Sequence, residues 1–173
     1  MTREEELNVA VDQLMKNADY HQVVDLMQAE PDLVESRWKL LWNLGAAYFH
    51  LGLFIRAEPC FERAAKLSSD EPVCNWWLGM TYRENGKLDK AELALKSALE
   101  RRESYTVRLN LALVLMQQGK LIEAEKIHLK AIERSPYDRE RLEAYADFLS
   151  DVGRLREAAE MYESAENCDH GLM

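Results

Sequence analysis

The sequence predicts an all-α chain of repeated antiparallel helix pairs, and three observations carry that reading. Four of the seven glycines, Gly52, Gly86, Gly119 and Gly153, recur at intervals of 34, 33 and 34 residues, the mark of a repeat array rather than of one irregular domain. Behind each glycine the same small, large, small columns return: Ala57, Ala91, Ala124 and Ala158, then Phe61, Leu95, His128 and Tyr162, then Ala64, Ala98, Ala131 and Ala165. Their spacing of four and then three places them on one face of a helix, where alanine lets a neighbouring helix come close. Ahead of each glycine lies a second apolar segment: Leu44-Gly45-Ala46-Ala47-Tyr48, Leu78-Gly79-Met80-Thr81-Tyr82, Leu111-Ala112-Leu113-Val114-Leu115 and Tyr145-Ala146-Asp147-Phe148-Leu149.

Each unit is therefore read as two helices of roughly 14 residues, about 21 Å long at the helical rise, joined at the glycine. The second member of every upstream segment is Gly or Ala. Glycine costs a helix interior about 1 kcal/mol against alanine, so Gly45 and Gly79 imply a crossing too close for a side chain. The register gives units at 38–71, 72–104, 105–138 and 139–172, inside one repeat domain spanning 1–173. Residues 4–37 form a degenerate first copy, with Leu7, Val11 and Leu14 on one face and Ala18-Asp19-Tyr20 at the turn. Pro59 falls inside a second helix, where it removes the backbone bond to residue 55 and costs about 3 kcal/mol unless the helix starts late or kinks.

Composition narrows the function. The chain is 47% hydrophobic and 31% charged, which suits ordered helices, and its net charge of -9 speaks against a nucleic acid as partner. The start, MTREEELN, has no apolar run behind a basic segment and no stretch is long enough to span a bilayer, so the expected location is the cytoplasm without membrane insertion. Cys60, Cys74 and Cys168 have unrelated spacings and no C-x-x-C, which fits free thiols rather than a disulfide framework or a zinc site. No nucleotide, metal-protease or hydrolase motif is found, so neither an enzyme nor a cofactor is expected. His21, His50, His128 and His170 are scattered. His128 reads as a core histidine with one nitrogen bonded, a His50–Glu84 pair as a weak acid–base candidate, and Cys168-Asp169-His170 as a weak metal signal.

The run L-G-x-x-Y, then A-x-x-x-F and A, closed by proline at Pro136, resembles the tetratricopeptide repeat over residues 38–172. The resemblance implies a right-handed superhelical solenoid whose concave wall, formed by the first helix of each unit, binds another polypeptide. It places Trp42, Asn43, Ala46, Phe49 and His50 at that wall, then Trp76, Trp77, Met80, Arg83 and Glu84, then Leu109, Asn110, Leu113, Met116 and Gln117, and last Glu143, Ala144, Asp147, Ser150 and Asp151. The aromatic that the family carries three residues before L-G is replaced by Leu41, Asn75, Arg108 and Leu142, with tryptophans one residue later at Trp42 and Trp76. Trp76 and Trp77 are adjacent and cannot share a face, so one of them is expected to pack between units.

Asn43 and Asn110 match family asparagines that hold a bound peptide's backbone. Only Lys39 and Arg83 stand near the groove, too few for the basic clamp by which some members hold a C-terminal carboxylate. The groove thus changes from aromatic to acidic, and Glu140, Glu143, Asp147 and Asp151 favour a partner with basic flanks around an apolar segment, while a solvated helix face explains the same charges. The expected function is a non-catalytic scaffold or adaptor binding an extended peptide or an amphipathic helix. The alternatives are a cytoplasmic chaperone for a secreted or assembling subunit, and a homo-oligomer formed through an uncapped last helix, 154–166, with Leu155, Tyr162 and Ala165.

Overall fold

A helix leaves its last carbonyls without donors, and a residue in the left-handed region just past its end lets the chain fold back to cap them. The computed structural model, which describes residues 1–68 and 71–169, uses this device at five turns and is helical between them. Gly52, Gly86, Gly119 and Gly153 have φ of 72, 72, 76 and 82°. At each, the N–H of the following residue bonds back five residues, as Leu53 does to the Tyr48 carbonyl at 2.8 Å and Lys87 to the Tyr82 carbonyl at 2.8 Å. The fifth turn carries Ala18 at the equivalent position, with φ 59°, the one non-glycine residue of positive φ among those described.

The described residues form eleven helices: α1 (Arg3–Lys16), α2 (Tyr20–Gln28), α3 (Pro31–Glu35), α4 (Trp38–His50), α5 (Phe54–Leu67), α6 (Pro72–Glu84), α7 (Leu88–Arg101), α8 (Tyr105–Gln117), α9 (Leu121–Arg134), α10 (Arg139–Asp151) and α11 (Leu155–Asp169). Chain contacts divide them into two compact units, Met1–Glu103 and Ser104–Met173. In the first, α4 packs on α5, α6 on α7, α5 on α6 and α2 on α4. In the second, α8 packs on α9, α9 on α10 and α10 on α11.

The degenerate copy begins with a reciprocal cap, the Thr2 hydroxyl accepting from the Glu5 N–H while the Glu5 carboxylate accepts from the Thr2 N–H. Its Leu7 and Val11 are buried, and Leu14 is half-buried. Its second helix is shorter than its counterparts. It stops at Gln28, and Pro31, which disfavours helix at the residue before it, opens the separate turn α3.

Elsewhere the small residues act as their spacing implies. Ala57, Phe61, Ala64, Ala91 and Leu95 are wholly buried. A Cβ on Gly45 would stand 3.0 Å from the Phe61 ring, and one on Gly79 would stand 2.7 Å from Leu95 Cγ. The last copy departs from this pattern at its large residue: Tyr162 is exposed, as is Leu155, while Ala165 of the same expected patch is buried at 1%. Pro59 does not delay its helix, since α5 runs from Phe54 to Leu67 through it. The lost bond is confined to the second turn, and the amide of Asn85 donates to the neighbouring Phe54 carbonyl at 3.3 Å.

Successive pairs are tied by polar side chains at two recurring separations. At twenty residues, Gln28 donates to the Tyr48 hydroxyl at 3.0 Å and the Tyr82 hydroxyl donates to Glu62 at 2.7 Å. At twenty-nine, Lys87 bonds Glu58 at 2.6 Å in the first unit and Arg154 bonds Glu125 at 2.5 Å in the second. Burial pushes the Glu58 carboxyl up, but bonds from Lys87 and Asn85 outweigh it and hold the group below the ordinary carboxylate range. Glu125 is held low by the Tyr145 hydroxyl and by Arg154.

Candidate functional site

The expected groove residues fall into two sets, one in each unit. In the first unit Trp77 is the hub. Its ring stacks on Phe61 of α5 at 5.8 Å and meets Phe49 at 5.2 Å, His50 at 5.7 Å and Trp42 at 6.2 Å, all three from α4. Trp77 is thus the tryptophan that packs between helix pairs, as one of the adjacent two had to. Trp76, one residue earlier on α6, leans on Trp77 at 5.5 Å. Such edge-on and tilted pairs each add roughly 0.5–1.5 kcal/mol beyond the area they bury.

Trp42, Phe49, Trp76, Met80 and Arg83 are all half-buried. The indole Nε1 of Trp42 and that of Trp76 are covered and have no hydrogen-bond partner among the described residues. Phe49 is held by Phe54 at 5.0 Å as well as by Trp77. The two cations near this face are already engaged, Arg83 with Glu84 at 2.5 Å and Lys39 with Asp12 at 3.8 Å. His50 stacks on Tyr20 at 4.6 Å, so His50 and Glu84 are each occupied elsewhere and form no acid–base pair.

The asparagines differ from expectation. Asn43 is 2% exposed, and its Nδ2 is unpartnered among the described residues. Its position is the one that Trp77 occupies a repeat later, and that position turns into the packing between helix pairs. Asn110 is half-buried and donates to the Thr106 carbonyl of its own helix at 2.8 Å. Neither side chain stands open to hold a peptide backbone.

In the second unit Leu109 and Met116 are half-buried and Leu113 is 40% exposed. The acidic residues have partners within the unit: Glu143 accepts from Arg139 at 2.7 Å, and Asp147 accepts from the Tyr162 hydroxyl. His128 is 6% exposed between the rings of Tyr145 and Phe148. Its Nδ1 has no partner among the described residues, and desolvation lowers its pKa to about 4 against the opposing pull of Asp147 and Glu125. A neutral, enclosed imidazole of this kind fills the column held by Phe61 and Leu95 and is a packing group.

No group of three or more metal-ligating side chains occurs among the described residues. His170 of the tail triplet lies outside them. Cys60, Cys74 and Cys168 are free, and burial pushes the Cys60 thiol up to about 12 and the Cys74 thiol up to about 11, far from thiolate reactivity. No described helix is long and apolar enough to cross a membrane.

The aromatic hub was not legible from the repeat pattern. Phe49, Phe54, Phe61 and Trp77 belong to different columns of two successive units, and only the tilt of one helix pair on the next brings them together. The usable signal was density, since Trp42, Phe49, Phe54, Phe61, Trp76 and Trp77 all fall within 36 residues.

Comparison with known proteins gives three results. Tetratricopeptide repeat models match residues 39–71 and 78–139. No curated protein reaches a significant match. Among solved structures, MamA AMB-1 is 25% identical over 98% of this chain and 93% of its own, with a TM-score of 0.74. MamA MSR-1 is 23% identical over 99% of both chains, with a TM-score of 0.76. The structure of MamA residues 41 to the end from Desulfovibrio magneticus RS-1 is 13% identical over 99% of this chain and 97% of its own, with a TM-score of 0.83. With two repeat models on the helix pairs that the glycine turns define, and these structures sharing the fold, the chain belongs to the tetratricopeptide repeat family.

Proposed function

We propose that this protein is a cytoplasmic, non-catalytic adaptor whose first unit binds a segment of a partner protein on the face carrying Trp42 and Trp76. Tetratricopeptide repeats are generally protein-interaction modules without catalysis, and the fold supports a scaffold role. The observation that carries the finer reading is the pair of half-buried indoles, one repeat apart on α4 and α6, each leaning on Trp77, whose ring is held among Phe49, His50 and Phe61. Large rigid rings at a surface supply much contact area at low entropy cost and dominate recognition patches. The cations beside them are already paired, so the contact is led by apolar and ring surface rather than by charge.

The test is affinity capture with the wild type beside the Trp42→Ala, Trp76→Ala double variant, both confirmed helical by circular dichroism. A partner retained by the wild type and lost from the variant supports the reading, whereas equal capture by both sinks it. Self-association through the exposed side chains of α11 is the second reading. It is favoured by Leu155, which is 66% exposed on α11. A monomer at micromolar concentration in sedimentation would remove it. A chaperone role differs from an adaptor role in its partner, a single subunit that is insoluble without this protein.

A further inference from the structure

We propose that the first unit has a second recognition surface, an open cleft between α5 and the turn joining α6 to α7, which receives an arginine side chain of a partner protein. The cleft has a volume of about 580 Å³ and is lined by neither Trp42 nor Trp76. Its apolar lining is Ile55 and Pro59, and its charged lining is Glu58, Glu62, Glu84 and Lys87. Three carboxylates thus meet one ammonium. Lys87 is spent on Glu58, at 2.6 and 2.8 Å, and Asn85 donates to the same carboxylate at 2.7 Å. Glu84 is paired with Arg83 at 2.5 Å. Glu62 accepts from the Tyr82 hydroxyl at 2.7 Å, a neutral donor, and makes no ion pair among the described residues. A further cation, Lys90, lies over the Tyr82 ring, 5.3 Å from its centroid.

The other copies show what is missing. Along the repeat, Glu58 and Glu62 of α5 correspond to Glu92 and Lys96 of α7, and there Lys96 bonds Glu92 at 2.5 Å. In the second unit the same positions are Glu125 and Leu129, and Arg154 bonds the single carboxylate at 2.5 Å. Among these three helices α5 alone brings a second carboxylate, where α7 carries its own cation. The rest of the lining selects the cation. Pro59 has no N–H, so the carbonyl of Ile55 lacks its helical donor. That carbonyl and the carboxylates of Glu62 and Glu84 are several acceptors in one cleft, which the five donors of a planar guanidinium answer better than the three of an ammonium. Its methylene stem covers apolar surface, here Pro59 and Ile55. Ile55 is 83% exposed, and it gives the residues flanking the arginine a footing that a free cation does not use.

The experiment titrates the full chain with the capped tripeptide acetyl-Leu-Arg-Leu amide, with its citrulline counterpart, which keeps the shape without the charge, and with agmatine, a free guanidinium compound. Backbone amide signals are followed by nuclear magnetic resonance, and circular dichroism checks that each variant is folded. The arginine peptide should shift Ile55, Glu58, Glu62 and Lys87 saturably, and the citrulline peptide should not. Glu62→Gln keeps an acceptor for Tyr82 and should bind about tenfold more weakly, the loss of one charge-assisted hydrogen bond. Glu62→Lys, which copies α7 into α5, should abolish binding, and Glu133→Gln, at an exposed carboxylate of α9, should leave it unchanged. Equal binding of the citrulline peptide, wild-type affinity in Glu62→Lys, or equal weakening by Glu62→Gln and Glu133→Gln overturns the proposal. Tighter binding of agmatine than of the peptide also overturns it, and assigns the cleft to a small cation.

Discussion

The two units solve the same position in different ways. The residue three before the small residue of each first-helix segment is Trp42 and Trp76 in the first unit and Leu109 and Glu143 in the second. In the second unit Leu109 is half-buried and Glu143 is bonded to Arg139 within its own helix, so the position is satisfied locally. In the first unit it presents indoles whose donors find nothing among the described residues. Unmatched indole donors beside a packed aromatic hub are what supports the proposal that a partner binds the first unit.

The largest expected effect breaks the second unit without touching the first. His128 has a pKa of about 4 when folded against 6.5 as its ordinary value. Because the folded value is depressed, the neutral form is favoured by folding; stability is full above pH 6.5 and falls as pH drops toward 4. The loss is at most about 3 kcal/mol. Thermal melts across that window should show His128→Leu flattening the acid-induced fall, and an unchanged pH profile would mean that the imidazole is solvated. Tyr145 and Arg154 hold the Glu125 carboxyl below its ordinary range.

Next in size is the helix crossing of the first unit. Gly79→Leu forces a side chain where even a Cβ would stand 2.7 Å from Leu95, and such overpacking typically costs about 1–3 kcal/mol. A melting temperature equal to wild type would contradict the packing. A gain is expected at the turn of the degenerate copy. Ala18 holds φ 59°, where glycine pays no steric penalty, so Ala18→Gly should stabilise by about 1 kcal/mol. Chemical denaturation should show a higher midpoint with an unchanged slope. The smallest effect belongs to the ties between pairs. Glu125→Gln weakens its bonds to Arg154 and Tyr145 near the surface and should cost less than about 1 kcal/mol, with most of that loss absent in high salt.

The fold was legible because its rules are periodic. A left-handed residue must follow the first helix of each pair, so glycine marks four turns, and the fifth was found at Ala18 by register alone. Small residues must lie where helices cross, which gave the columns at Ala57, Phe61 and Ala64. Contacts between one pair and the next were not legible, because they depend on the angle between pairs and not on spacing within them. That is why Asn43 was expected in the open and is buried, and why Trp77 at the centre of the aromatic cluster could be narrowed only to one of two neighbours. The ties at twenty and twenty-nine residues were missed for the same reason. The short α3 was missed because its proline lies in a copy too degenerate to compare with the others.

The most direct test of the account is nuclear magnetic resonance of the indole N–H groups as the captured partner is titrated in. The signals of Trp42 and Trp76 should move first and furthest, with Trp77 following as their neighbour and the backbone amides of Leu113 and Asp147 unmoved. Shifts centred on Leu109, Leu113, Met116 and Asp147, with the indoles of Trp42 and Trp76 unchanged, would contradict it and move the binding surface to the second unit.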